Sequence, residues 1–296
     1  MSLLRILRFI YTHPLNKRNK LKALQRYITW QIGSRILPSA VAINFVGKSR
    51  LLVKTGMTGA TGNIYTGLHE FEDMSFLLHL LRKEDVFVDI GANVGSYTIL
   101  AGSVAGSKCF SIEPIPTTFT ALIDNVNLNG IYDKVCCLNI GIGKENGRLK
   151  FTSTLDSINH VKSTTDKEID FIDVPVKKLD DVLGNKEPTL IKIDVEGFET
   201  EVIAGAVKTL SRHSLIAVIM ELNGSGKRYG YDETALHQKM LDYGFCSYLY
   251  LPFERKLQPL NTKNNNSGNT LYLRNIEKIK ERLQSSLKFM INGIEI

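Results

Sequence analysis

The chain has 296 residues, 43% of them hydrophobic and 23% charged. That is enough to bury a full-sized core, and it excludes both a disulfide-stapled mini-protein and a disordered chain. The net charge of +7 invites a nucleic-acid partner, but eleven of the 37 basic residues and none of the 30 acidic ones lie between Met1 and His69, which leaves the remainder at a net −4.

Residues 1–55 read as helical pieces and short strands, ending in Arg50-Leu51-Leu52-Val53-Lys54. The opening stretch is interrupted by Arg5 and Arg8 and lacks a small-residue cleavage site, so it does not read as a secretory signal. As a helix it places Leu3, Leu4, Leu7 and Ile10 on one face. That face either docks on its own domain, the plainer reading, or lies on an anionic membrane surface. Gly56, Gly59, Gly62 and Gly67 then punctuate a stretch that reads as loop. Phe71, Met74, Phe76, Leu77, Leu80 and Leu81 recur at helical spacing.

From Val86 onward short apolar runs alternate with helical stretches. Val86–Ile90 precedes a helix at about 95–105, and Cys109–Glu113 precedes one at about 116–129. Val135–Ile140 is a third strand, followed by a hairpin excursion (Leu149–Ser153, then Phe171–Val176). Leu190–Asp194 leads to a helix at about 198–210, Leu215–Leu222 to a helix at Thr234–Tyr243, and Phe245–Leu251 through a polar loop to Leu271–Leu273. Strands apolar throughout and separated by helices predict a doubly wound, Rossmann-like α/β fold: a mostly parallel seven-stranded sheet with helices on both faces. The last two runs lack an intervening helix, so one antiparallel strand is expected near the C-terminus. The expected division is a basic N-terminal segment (1–69), a catalytic domain (70–275) and a helical tail (276–296).

Cys109, Cys136, Cys137 and Cys246 form no C-x-x-C pattern, which points to buried thiols in a reducing compartment. No apolar run approaches the roughly 18 residues of a bilayer span. The expected location is cytoplasmic, with residues 1–26 as the part that would touch the inner face of a membrane.

The first strand of the regular pattern ends in Asp89-Ile90-Gly91-Ala92-Asn93-Val94-Gly95. A carboxylate followed by a glycine-bearing turn into a helix brings backbone close to a ligand, at the carboxyl ends of the strands where open α/β sheets bind. The spacing departs from Gly-x-Gly-x-x-Gly, and Asn93 suits the left-handed backbone that such a turn needs. Glu113, ending the second strand, has the place and chemistry to accept both ribose hydroxyls. A carboxylate at Asp89, where a pyrophosphate would want positive charge, favours a cationic ligand.

These stretches resemble the FkbM-type methyltransferases, a branch of the class I S-adenosylmethionine-dependent enzymes. The resemblance rests on Val88–Thr98, on Glu113–Phe119 with Leu122 and Asn125, on Leu179-Asp180, on Lys192–Glu199, on Gly205-Ala206 and on Glu221-Leu222. It spans about 65–275, with Tyr65 and Glu70 as its lead-in and as low-priority substrate contacts. It implies that Asp89, Gly91, Asn93 and Gly95 cradle the methionine part of S-adenosyl-L-methionine and that Glu113 holds its ribose. Asn139 is a weaker candidate for the adenine edge. It also implies O-methylation; the expected acceptor is a hydroxyl of a sugar, glycolipid or polyketide-like metabolite, the carbohydrate preference being a prior and not part of the resemblance.

Asp194 and Glu196 follow the fourth strand, beside the expected methyl donor. Methyl transfer to an alcohol requires in-line alignment, exclusion of water and a proton acceptor. The two carboxylates are the candidate catalytic pair, while Glu199 and Glu201 suit the start of a helix. Glu221 ends the next strand on the same rim as a candidate substrate contact. With Asp194 and Glu196 it offers oxygen ligands of the kind Mg²⁺ takes, but spacing alone does not argue for a metal, and the expected metal set is none. His160 is the one histidine in a loop expected to overhang the site. The competing reading is an RNA methyltransferase that grips phosphates through Lys17, Arg18, Lys20, Lys22 and Arg26 and stacks bases on Tyr27 and Trp30. No known RNA-binding module supports it, and nucleic acid is the less favoured partner.

Overall fold

A computed structural model describes residues 3–155, 158–164, 166 and 170–296. Met1, Ser2 and two residues of the expected overhanging loop, Asp156 and Ser157, lie outside the described residues.

In chain order the elements begin with α1 (Leu3–Thr12), α2 (Lys20–Ile36), β1 (Val41–Asn44), β2 (Arg50–Val53), α3 (Thr58–Thr66) and α4 (Phe71–Leu80). The sheet-forming part follows as β3 (Val86–Ile90), α5 (Ser96–Ile99), β4 (Lys108–Ile112), α6 (Pro116–Leu128) and β5 (Val135–Leu138). The excursion is β6 (Gly141–Ile142), β7 (Gly147–Thr152) and β8 (Phe171–Lys177). Then come α7 (Leu179–Leu183), β9 (Leu190–Ile193), α8 (Glu199–Ala204), α9 (Val207–Leu210), β10 (Ala217–Glu221) and α10 (Glu233–Asp242). The chain closes with β11 (Cys246–Leu251), β12 (Lys256–Pro259), β13 (Asn269–Leu273), α11 (Ile276–Ser285), β14 (Met290–Ile291) and β15 (Ile294–Glu295).

The main sheet has eight strands in the order β12-β11-β13-β10-β9-β3-β4-β5. Strands β5, β4, β3, β9 and β10 are parallel, and β13 inserts antiparallel between β10 and β11. The expected Rossmann-like sheet is therefore present, with one more strand than expected. The extra strand is β12, which forms a hairpin with β11 at the sheet edge. Its Lys-Leu-Gln-Pro sequence is half-exposed to exposed, so it carries little of the apolar signal that marks a buried strand.

Period-two alternation supplies both faces of the sheet. Phe87, Leu190, Ala217, Ile219 and Leu273 pack on one side with α4 and α11, whereas Val88, Ile191, Val218, Met220 and Tyr272 pack on the other with α7 to α10. The same first core takes in Ile10 of α1 and Ala23 and Trp30 of α2, so the basic N-terminal segment packs continuously onto the sheet domain. A small third cluster of Ile115, Phe151, Val161, Val174 and Val176 lies under the β6-β8-β7 sheet.

Three local expectations need correction. The glycine-rich stretch read as loop contains the nine-residue helix α3. A Cβ at Gly62 would lie 2.1 Å from His69 Nδ1, so this glycine permits a close approach, and packing outweighs poor helix propensity. The tail is helical only through α11 and ends in the β14–β15 hairpin. Among the cysteines only Cys109 is fully buried, and Cys136 and Cys246 are exposed. Cys136 belongs to edge strand β5, whose alternate side chain faces solvent.

Candidate active site

A cavity of about 300 Å³ opens at the carboxyl ends of β3, β4, β9 and β10. Its floor is the turn after β3, where Gly91, Asn93 and Gly95 take φ values of +78°, +52° and +92°. The positive φ explains the glycines and the asparagine. Gly91 has a second constraint, since a Cβ there would sit 1.8 Å from the Asp194 carbonyl oxygen. The ends of β3 and β9 are thus in backbone contact, and Asp194 is brought beside the turn.

Asp89 is fully buried, with Oδ2 accepting from Thr98 Oγ1 at 2.7 Å. Burial pushes its carboxyl up to about 6. Glu113 accepts the Asn93 N–H on Oε2 and the Ile115 N–H on Oε1, both at 3.0 Å, and burial raises it to about 7. It therefore fastens the β3 turn to the start of α6 while still lining the cavity.

Lys192 lies at the centre of the acidic wall. It is in register with Asp89 on β3, and its Nζ is 2.6 Å from Asp194 Oδ2 and 4.8 Å from the centre of the Tyr97 ring. Although it is buried, the surrounding Asp194, Glu70 and Asp89 carboxylates raise its pKa and keep it charged. It opens the Lys192–Glu199 motif, from which no role for it is expected. The available signal was a lysine inside an otherwise apolar strand, which needs a carboxylate partner nearby. Tyr97 in turn donates to Glu70 Oε2 at 2.7 Å, and Asn269 donates to Glu70 Oε1 and to Asp73.

Beyond Lys192, Asp194, Glu196 and Glu221 each present a carboxylate oxygen within 4.8 Å of the others. Burial first, then the neighbouring Asp194, raises Glu196 to about 7 and Glu221 to about 10. Glu196 has φ +55°, and its carbonyl accepts from Arg228 at 3.0 Å. The turn that follows is held from below by Glu199, whose Oε1 accepts the N–H groups of Val195 and Gly197. Glu199 is 3% exposed; it organises this loop as well as opening α8.

A family model described as the Methyltransferase FkbM domain matches residues 89–246, more than half of the chain and all of the strand ends just described. The chain belongs to the FkbM methyltransferases. S-Adenosylmethionine is the cofactor of this FkbM methyltransferase. Its relatives include Methyltransferase 1 of Beauveria bassiana, 31% identical over 162 residues (46% of this chain, 64% of the relative). Another is the hexuronic acid methyltransferase AglP of Haloferax volcanii, 27% identical over 155 residues (52% and 62%). The chain spans less than two thirds of the length of the curated relatives it matches. A solved structure of Pyrococcus horikoshii TYW2 in complex with MeSAdo aligns over 88% of this chain and 84% of its own, at 12% identity and a TM-score of 0.43.

The residues of the FkbM domain fit a cofactor with a cationic amino-acid end and a ribose. Gly91 lines the cavity, and the absence of a Cβ there lets the turn after β3 lie directly against the Asp194 carbonyl. Each Glu113 oxygen takes a single N–H and retains acceptor capacity for a hydroxyl. Asp89, Gly91, Asn93, Glu113, Asp194, Glu196, Glu221 and Glu70 all line this one cavity. Gly95 lies one step behind, with the Leu122 side chain where its Cβ would be.

Three further expected residues are not part of the lining. Asn139 turns away and donates to the carbonyls of Glu113 and Pro114, so Ile140, Gly141 and Ile142 form the wall there. Tyr65 is buried between α2 and α3, where its hydroxyl accepts from Gln31. His160 is 4% exposed and folds back on its own loop against the Ile158 carbonyl and the Asp166 carboxylate. Neither resemblance nor position along the chain fixes where a side chain points: distant partners set it for Asn139 and Tyr65, and partners in its own loop set it for His160.

Proposed function

We propose that the protein is an S-adenosylmethionine-dependent O-methyltransferase whose acceptor is a neutral sugar-type hydroxyl. The observation that carries this reading is the convergence of Asp194, Glu196 and Glu221 on the cavity that also holds the β3 turn and Glu113. Bound there, the cofactor supplies an electrophilic methyl group on a sulfonium.

Asp89 and the Gly91–Asn93 turn would hold the amino-acid end, and Glu113 would take the ribose hydroxyls. Asp194, paired to Lys192 on one oxygen, would orient the acceptor hydroxyl. Glu196 would receive its proton, because a carboxyl raised to about 7 is a better base than an ordinary one and is still largely ionised above neutrality. Glu221, raised to about 10, stays protonated at neutral pH and would donate a hydrogen bond to the acceptor. Phe151, Val161 and Phe198 provide apolar wall that keeps water out.

Among the described lining residues, five acidic side chains besides the protonated Glu221, namely Glu70, Asp89, Glu113, Asp194 and Glu196, stand against the lysine Lys192. This charge balance favours a neutral polyol over an anionic acceptor. Transfer of labelled methyl from S-adenosylmethionine to a glycan extract tests the reading. The expected product resists mild alkali, as an ether does. A product released by mild alkali would be a methyl ester and would overturn the hydroxyl assignment.

A further inference from the structure

We propose that α1 and α2 form a docking surface for an anionic lipid bilayer. Helix α2 packs inward through Ala23, Trp30 and Ser34 and through Arg26, whose guanidinium donates to Asn16 Oδ1 and the Tyr65 carbonyl. Its opposite face carries Leu21, Leu24, Ile28, Ile32 and Ile36, all exposed, with Leu21 at 82% and Ile36 at 71%. The spacing of three, then four, four and four residues places these side chains in one stripe. Single exposed leucines are ordinary, but a stripe running the length of a helix opposite its packed face marks a contact surface.

The inward face of α1 is occupied, since Ile10 is buried and Ile6 and Phe9 pack on the core. Leu3, Leu4 and Tyr11 remain outside, and Lys20 Nζ lies 3.6 Å from the centre of the Tyr11 ring, so the two helices present their exposed residues beside one another. The membrane-facing stripe is therefore mainly that of α2 and not the α1 face read from sequence.

Charge selects the occupant. Arg5, Arg8, Lys17, Arg18, Lys22 and Arg35 are exposed on the same two helices and the turn between them. No acidic residue occurs between Met1 and His69. A second copy pairing through α2 would bring cation against cation with no carboxylate in the segment to answer. An RNA would need stacking aromatics, but Trp30 is buried, Tyr27 packs inward on Tyr65, and the exposed Tyr11 has a ring face covered by Lys20. Aliphatic side chains bordered by lysine and arginine suit acyl chains beneath anionic headgroups. No helix among the described residues is long and apolar enough to cross a membrane, so the contact is interfacial.

Flotation of the full chain with vesicles tests this. With phosphatidylcholine–phosphatidylglycerol vesicles at low salt the protein should float, and high salt or pure phosphatidylcholine should release it. The pair Ile28→Glu with Ile32→Glu, and separately the triple Lys17→Glu, Arg18→Glu and Lys22→Glu, should each lower binding by about tenfold or more. Melting temperature and cofactor affinity should not change, because none of these residues lines the cavity. Failure of the wild-type protein to float on anionic vesicles overturns the proposal, as does flotation undiminished in the Ile28/Ile32 pair. A dimer abolished by that pair, or salt-dependent retention on RNA, in the absence of flotation would assign the surface to a second copy or to nucleic acid instead.

Discussion

Replacing Gly91 by alanine tests whether backbone contact between β3 and β9 builds the site. The new Cβ would stand 1.8 Å from the Asp194 carbonyl oxygen, whereas a carbon and an oxygen in close contact sit about 3.3 Å apart. One strand end must therefore move by roughly 1.5 Å. That shift breaks the bond from Asp194 N–H to the Ile90 carbonyl, now 3.0 Å, at a net cost of about 1 kcal/mol. Holding alanine at a φ of +78° adds about 1–2 kcal/mol. The sum is about 2–3 kcal/mol, or a fall in Tm of about 3–5 °C for a chain of this length. Because Asp194 moves with the strand end, binding of S-adenosylhomocysteine should weaken at temperatures where the variant is still folded. Differential scanning calorimetry and titration calorimetry measure the two effects. Gly130→Ala is the control: its φ is +61° and a Cβ there meets nothing within 4 Å, so it bears the conformational cost alone and should leave binding unchanged. If the two variants behave alike, the close approach of β3 and β9 does not organise the site.

Glu113→Gln keeps the shape but turns one acceptor into an NH₂ group facing either the Asn93 or the Ile115 N–H. Affinity for S-adenosylhomocysteine should fall by about tenfold or more, and wild-type affinity would remove Glu113 from the cofactor site. Lys192→Met leaves Asp194 without its ion-pair partner at 2.6 Å. Since Asp194 is 26% exposed, the cost should be about 2–3 kcal/mol, below that of a fully buried pair, as read from denaturant unfolding; an unchanged midpoint would refute the role given to this pair. The pH profile has a defined sign. Glu113, Glu196 and Glu199 are raised to about 7 and Glu221 to about 10, from a usual 4.5. The folded protein thus holds protons that the unfolded chain has released, and stability falls as pH rises through those values. His13 and His79, held near 4 from a usual 6.5, act in the opposite sense below 6.5. Above pH 6.5 the cofactor-free protein should therefore melt at progressively lower temperature, with a shallower slope in Glu221→Gln. A Tm that rises over that range would contradict the raised carboxyls.

Local chemistry made much of the fold and part of the site legible in the sequence. Alternating apolar runs and helical spacing specified the parallel sheet, because a strand buried on both faces must be apolar at every position. The turn Gly91-Ala92-Asn93-Val94-Gly95 announced itself because few residues accept positive φ. The carboxylates ending β3, β4, β9 and β10 followed, since strand ends in such a sheet share one rim. Tertiary contacts decided the rest. Gly59 and Gly62 read as loop until His69 and the packing around α3 made a helix of that stretch. Asn139 and His160 sat at plausible positions, yet their hydrogen bonds go to backbone and to their own loop. Lys192 stands out in the chain only as a lysine within an apolar strand, and its partners are fixed only when β3 and β9 lie side by side. The exposed aliphatic stripe of α2 needed the structure too, because a helix with apolar residues on opposite faces does not declare which one the core will take. Sequence by itself determined the strand ends and the residue types on them; which side chains meet, and which are left uncovered, depended on contacts between segments far apart in the chain.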